Sequence, residues 1–234
     1  MVKNIDTYDF LGGATLLINK PKGWTSFDVV NKIRYTLQKK LGVKNLKVGH
    51  AGTLDPMATG LLILCTGKAT KQLADFQGLE KEYTGSFRLG ATTPSYDAET
   101  EVNETFPTDH LSPELLEQTR RQFLGDIQQI PPMYSAIKVG GQPLYKKARK
   151  GETLDIQARP VHIFAFEWTN IELPNVDFWV HCSKGTYIRS LAYDFGRAAG
   201  SGAYLIALCR TRVGAFRLEE AWEVEAFVQE VGRF

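Results

Sequence analysis

The chain has 234 residues, 43% of them hydrophobic and 23% charged, with a formal net charge of +2. Those proportions exclude a disordered, collagenous or coiled-coil chain and describe an ordered globular protein. No stretch approaches the roughly 20 apolar residues of a membrane span, Met1 to Phe10 carries Lys3, Asp6 and Asp9 instead of an apolar signal core, and Cys65, Cys182 and Cys209 stand far apart with no C-x-x-C pair. A membrane protein, a disulfide framework and a cysteine zinc site are set aside, and the cytoplasm is the expected compartment.

Ala14 to Ile18 is an apolar run closed by the turn Lys20-Pro21-Lys22-Gly23. Ser26 is expected to cap a helix whose apolar positions are Phe27, Val30, Ile33 and Leu37. Leu61 to Cys65 reads as a buried strand, and Lys81 to Leu89, with Tyr83, Gly85, Phe87 and Leu89 alternating against polar residues, as a half-buried one. Ser112-Pro113 is a cap and first-turn proline for a helix through Leu115, Leu116 and Phe123 that Gly125 closes. Gln128 to Gly151, with Pro131-Pro132, Gly140-Gly141 and many lysines, is expected to be an irregular, mobile excursion. Ile163 to Trp168 and Phe178 to Cys182 read as paired strands, and Ile188, Leu191, Ala192 and Phe195 as a helix ending near Gly200. Strands and helices interleaved without strict alternation predict an α+β fold with a mixed, mostly antiparallel sheet flanked by helices, in one domain carrying an insertion.

Charge is segregated along the chain. Lys20, Lys22, Lys32, Arg34, Lys39, Lys40, Lys44 and Lys47 face the single acid Asp28 between Asn19 and Leu54, and Lys138, Lys146, Lys147, Arg149 and Lys150 form a second run without acids. Acids collect in Asp97 to Glu117 and in Glu219 to Glu230. Basic faces of this kind suit a polyanion such as RNA, although a single run reads equally as a solvated lysine surface.

Two segments stand out chemically. Gly49 to Gly60 places three glycines, His50 and the Asp55-Pro56 step between a basic stretch and a buried strand, and the proline holds Asp55 extended. Read alone, Asp55 is a turn aspartate or a catalytic carboxylate, and His50 structural or functional. In Ser183 to Ser190, Tyr187 and Arg189 stand at a helix entrance, where a cation does not complement the helix dipole. Arg189 is therefore expected to have a partner.

Together with Lys20 to Ser26, Gln129 to Lys138 and Arg210 to Phe216, these segments resemble the successive motifs of the TruB family of tRNA pseudouridine synthases, in the family's order across nearly the whole chain. The resemblance implies the pseudouridine synthase fold and conversion of uridine 55 in the T loop of tRNA to pseudouridine by a monomer without cofactor, metal or protein partner. It implies Asp55 as the catalytic carboxylate, nucleophile or base, kept ionised by Arg189. Tyr83 is implied to stack on the target base, Tyr187 to line the pocket near C5, Leu208 to form an apolar wall, and His50 to wedge into the T loop as the base flips out. Residues 125–151 resemble a flexible insertion that closes over the T stem, with Lys138, Lys146, Lys147 and Arg149 on phosphates, and Lys20 is placed among the substrate contacts. Many members carry a further RNA-binding domain of the PUA type. Here the acidic stretch Leu218 to Phe234 is too short for one, so weaker affinity for whole tRNA is expected, with tRNA folding as a possible second activity. A scaffold that only binds RNA would have lost the carboxylate, a guide-RNA-dependent relative would lack the insertion, and a metallohydrolase would need clustered ligands where His50, His110, His162 and His181 are scattered.

Overall fold

The computed structural model describes residues 5–135, 137–139, 141–148 and 154–233. In chain order the elements are β1 (Thr15–Lys20), α1 (Ser26–Leu41), β2 (Val48–Ala51), β3 (Thr59–Thr66), α2 (Leu73–Gly78), β4 (Lys81–Leu89), β5 (Ala91–Thr92), β6 (Glu104–Thr105), α3 (Pro113–Arg121) and β7 (Gly125–Gln129). They continue with β8 (Lys138–Val139), β9 (Gln142–Pro143), α4 (Leu144–Ala148), β10 (Arg159–Glu172), β11 (Asn175–Cys182), α5 (Ile188–Ala198), β12 (Ala203–Val213), β13 (Phe216–Arg217), β14 (Trp222–Glu223) and α6 (Val224–Arg233). The chain folds into two compact units: the first holds the described residues up to Tyr83 and from Leu208 onward, the second Thr84–Ala207. The chain passes between them within β4 and again within β12. No helix among the described residues is long and apolar enough to cross a membrane.

In the first unit the strand order is β14-β1-β3-β12, with β2 also on β3 and β13 on β12. β1 lies antiparallel to β3 and parallel to β14, and β12 lies parallel to β3. β3 is buried on both faces, which is why it reads as a continuous apolar run. Leu62 and Leu64 pack with Leu16, Ile18 and the α1 side chains Val29, Val30, Ile33 and Leu37, while Leu61 and Ile63 pack with Ala51 and Val213 on the other side. The helix cap differs from the expected one. Thr25 is the N-cap, exchanging hydrogen bonds with Asp28 in a capping box, which leaves Ser26 free for the task described below. Phe27 is 60% exposed and Val29 takes its place in the core; Gly42, at φ 64, ends the helix with its N–H on the Gln38 carbonyl. The acidic tail is also structured: Val224, Phe227 and Val231 of α6 complete the core beside α1.

In the second unit the order is β4-β11-β10-β7, with β10 antiparallel to both neighbours. The expected pair is confirmed and lengthened, Ile163 facing Cys182 and Trp168 facing Phe178. One face carries an aromatic core of Phe87, Phe166, Trp168, Phe178 and Phe195, with Phe87 and Phe178 ring centroids 4.4 Å apart. The helix after Ser112 starts as expected, the Ser112 hydroxyl accepting from Leu115 N–H. Parts of the expected excursion form regular elements among the described residues. Gly125–Gln129 is strand β7, paired with β10, β8 and β9 form a small hairpin, and Leu144 at the start of α4 is buried. Arg149, with residues 150–153, lies outside the described residues.

Candidate active site

Asp55 sits in the loop joining β2 to β3, an antiparallel hairpin in which Ala51 faces Ile63. The residues on either side of it are held by side chains from distant parts of the first unit. The Ser26 hydroxyl accepts from Leu54 N–H at 2.9 Å and donates to Leu54 C=O at 3.2 Å, so one buried hydroxyl satisfies both backbone groups of that residue. The Pro56 carbonyl accepts from Gly23 N–H at 2.7 Å and from the Lys20 ammonium at 3.4 Å. Lys20 is fully buried, and its ammonium also donates to the Trp24 and Pro21 carbonyls, at 2.6 and 3.0 Å. Lys20, expected among the substrate contacts, thus has its ammonium on backbone carbonyls around the loop.

The loop is closed from below by a second buried cation. Arg210 donates to the Leu61 carbonyl at 2.8 Å and to Gly52 at 3.0 Å. At Gly60, with φ +105, an added Cβ would lie 2.4 Å from the Arg210 carbonyl oxygen, so only glycine permits this approach. Asp55 is half-buried, and its carbonyl accepts from Ala58 N–H in a turn. His50, on β2, is held below its usual pKa by burial and secondarily by the Arg210 guanidinium. It is therefore neutral at neutral pH. Tyr83 and Leu208 are both buried in this unit, and the Leu208 carbonyl accepts from the Thr59 hydroxyl.

Replacing Ser26 by Ala removes both Leu54 bonds and leaves two buried backbone groups unpaired, a cost of about 1–3 kcal/mol. Urea unfolding of Ser26→Ala should show a lower midpoint at unchanged slope. An unchanged midpoint would mean that the loop holds its form without Ser26.

The second unit presents Tyr187 and Arg189. Tyr187 is the N-cap of α5, and the buried Gln129 of β7 grips it as Ser26 grips Leu54, its amide donating to Tyr187 C=O at 3.0 Å and accepting from Tyr187 N–H at 2.7 Å. Arg189 is 4% exposed. Its guanidinium donates to the Ser95 carbonyl at 3.2 Å and the Tyr134 carbonyl at 2.9 Å, with Nε 3.5 Å from the fully buried Asp97 carboxylate. Asp97 in turn accepts from the Ser95 hydroxyl at 2.5 Å and from Glu99 N–H at 3.0 Å. The sequence foresaw a partner for Arg189 but not this one: Asp97 opens a stretch noted only for its collected acids. The hydroxyls near it in the chain, Thr93, Ser95 and Thr100, were the available signal, since a buried carboxylate needs donors.

Lys138 and Lys146 lie on β8 and α4, and Lys147 is half-buried on α4. Among the described residues no group of three or more His, Cys, Asp or Glu could hold a metal ion.

Residues 38–188 match the model of the TruB family pseudouridylate synthase N-terminal domain. A tRNA pseudouridine synthase B of Flavobacterium johnsoniae is 54% identical over 95% of this chain and 98% of its own length, and that of Phocaeicola vulgatus is 53% identical over 94% and 93%. The chain belongs to the TruB family. It is a pseudouridine synthase, an isomerase. The fold agrees: the crystal structure of a Cbf5-Nop10-Gar1 complex superposes with a TM-score of 0.70 at 29% identity, over 94% of this chain and 54% of the other. An H/ACA RNP bound to a substrate RNA containing 2'-deoxyuridine superposes at 0.67 and 27%, over 94% of this chain and 53% of that one. The chain thus spans about half of those proteins. In this TruB-family member the gripped residues Leu54, Pro56 and Tyr187 all adjoin or belong to the motifs read from sequence.

Proposed function

We propose that this enzyme converts uridine 55 in the T loop of tRNA to pseudouridine, with Asp55 as its catalytic carboxylate. The observation that carries the reading is the immobilised loop: a half-buried carboxylate between two residues whose backbones are fixed by Ser26, Lys20 and Gly23 is pre-organised for chemistry. The relatives that match nearly end to end are named for action on tRNA.

The reaction breaks the N1–C1′ bond, turns the base and joins C5 to C1′; the C5 proton leaves and N1 ends protonated, so no atom is gained or lost. Glycoside hydrolysis uses two carboxylates because water must be handled. Isomerisation excludes water, and one carboxylate suffices, as nucleophile on the nucleotide or as base toward the sugar. Arg189 favours its ionised form, Tyr83 stacks on the uracil, Tyr187 faces C5 and Leu208 supplies an apolar wall. The neutral imidazole of His50 fills the space left when the uridine flips, which offsets part of the unstacking cost. Residues 125–151, with Lys138, Lys146, Lys147 and Arg149, contact T-stem phosphates, while Lys20 acts through the loop. The enzyme works as one catalytic domain, a cytoplasmic monomer that needs neither metal nor cofactor.

Carbodiimide-adduct mapping checks the site. A minimal T-arm hairpin incubated with the enzyme should give a reverse-transcription stop at position 55, at a rate comparable to whole tRNA. Stops at another uridine, or an unmodified hairpin beside modified tRNA, would contradict the assignment.

A further inference from the structure

Tyr96 has φ 63, in the left-handed region, which a bulky non-glycine residue rarely occupies. Its ring lies on that of Tyr193, with centroids 4.0 Å apart and planes 14° from parallel. Tyr193 stands about one turn along α5 from Arg189. The two chain neighbours of Tyr96 are the residues that grip Arg189, Ser95 through its carbonyl and Asp97 through its carboxylate. The loop and the helix therefore meet at two points a turn apart, one a stack and the other the guanidinium.

Backbone geometry links the two points. The Ser95 carbonyl lies in the rigid peptide plane that ends at Tyr96 N, so rotation about φ of Tyr96 swings that carbonyl relative to the rest of residue 96. Tyr96 is otherwise tied by N–H to the Thr93 carbonyl at 3.1 Å and by its own carbonyl to Leu205 N–H at 3.0 Å. Burial first, then Tyr193 and Asp194, pushes the Tyr96 phenol up to about 12, so the ring stays neutral.

We propose that Tyr96 is a positioning residue for catalysis: its stack on Tyr193 holds residue 96 left-handed and thereby aims Ser95 and Asp97 at the Arg189 guanidinium. The inference rests on Arg189 belonging to the pseudouridine synthase site. The competing possibility is that the hydroxyl bonds around Asp97, from Thr93, Ser95 and Thr100, hold the loop without Tyr96.

Single-turnover pseudouridine formation with enzyme in saturating excess over tRNA separates the two. Tyr96→Gly accepts the left-handed backbone but no longer enforces it, since glycine populates both signs of φ. Its rate should fall on the order of 10-fold, with tRNA affinity unchanged, while Tyr96→Phe, which keeps the stack, restores the wild-type rate. In an Arg189→Lys background Tyr96→Gly should cost little more, because both act on one group. Tyr193→Leu removes the same stack from the helix side and should reproduce the loss. A wild-type rate in Tyr96→Gly or Tyr193→Leu overturns the proposal, as do losses that add in full to that of Arg189→Lys. A wild-type enzyme that forms no pseudouridine overturns both this and the reading beneath it.

Discussion

Asp55→Asn is expected to bind tRNA as the wild type does and to form pseudouridine at least on the order of 10³-fold more slowly. Asparagine is nearly isosteric, and Ser26 and Lys20 fix the loop through the backbones of Leu54 and Pro56. The loop should therefore keep its form while losing the carboxylate proposed as nucleophile or base. A 10³-fold loss corresponds to about 4 kcal/mol of transition-state stabilisation, more than a change of packing at a half-buried position ordinarily produces. Equal affinity with lost turnover is the signature of an interaction used only after binding.

Arg189→Lys should lower single-turnover rate on the order of 100-fold, again at near-normal affinity. The guanidinium is planar and uses three nitrogens in three directions, toward Asp97, Ser95 and Tyr134. A lysine ammonium keeps the charge but cannot reproduce the fork. Lysine is also the informative choice for folding: alanine would leave the fully buried Asp97 carboxylate unpaired, which typically costs 3–5 kcal/mol, and would confuse instability with lost chemistry. A normal single-turnover rate in Arg189→Lys would remove Arg189 from the catalytic set.

The two sites differ in what their sequences disclose. Periodicity placed β4 at its observed bounds, found the buried strand around Leu61 to Cys65 and paired Ile163 to Trp168 with Phe178 to Cys182, because those patterns are local. It missed α6, whose Val224, Phe227 and Val231 recur at helical spacing among glutamates and were read as part of an acidic tail. It also mistook the cap of α1, since Thr25 and Ser26 are both good caps and only the tertiary bond from Ser26 to Leu54 decides between them.

Charged residues were the harder class. Lys20 was counted in a basic run and placed among the substrate contacts, Asp97 was counted in an acidic stretch and Arg210 was quoted only within a motif, yet each is buried. A sequence shows a charge but not the carbonyls and hydroxyls that make its burial tolerable, and here the partners of Lys20 and Arg210 include groups 36, 149 and 158 residues away. Glycines, Asp55-Pro56 and the helix entrance at Tyr187 single out their segments locally, but the catalytic roles of those residues are implied by the family resemblance. The residues that hold them in place, Ser26, Gln129, Asp97 and Arg210, act across the fold.

Tritium release from tRNA labelled at C5 of uridine, measured for the wild type and Asp55→Asn with binding determined for both, tests the central claim most directly. The account predicts stoichiometric release by the wild type and none by the variant at equal affinity. Release by Asp55→Asn at the wild-type rate, or binding without release by both proteins, would contradict it.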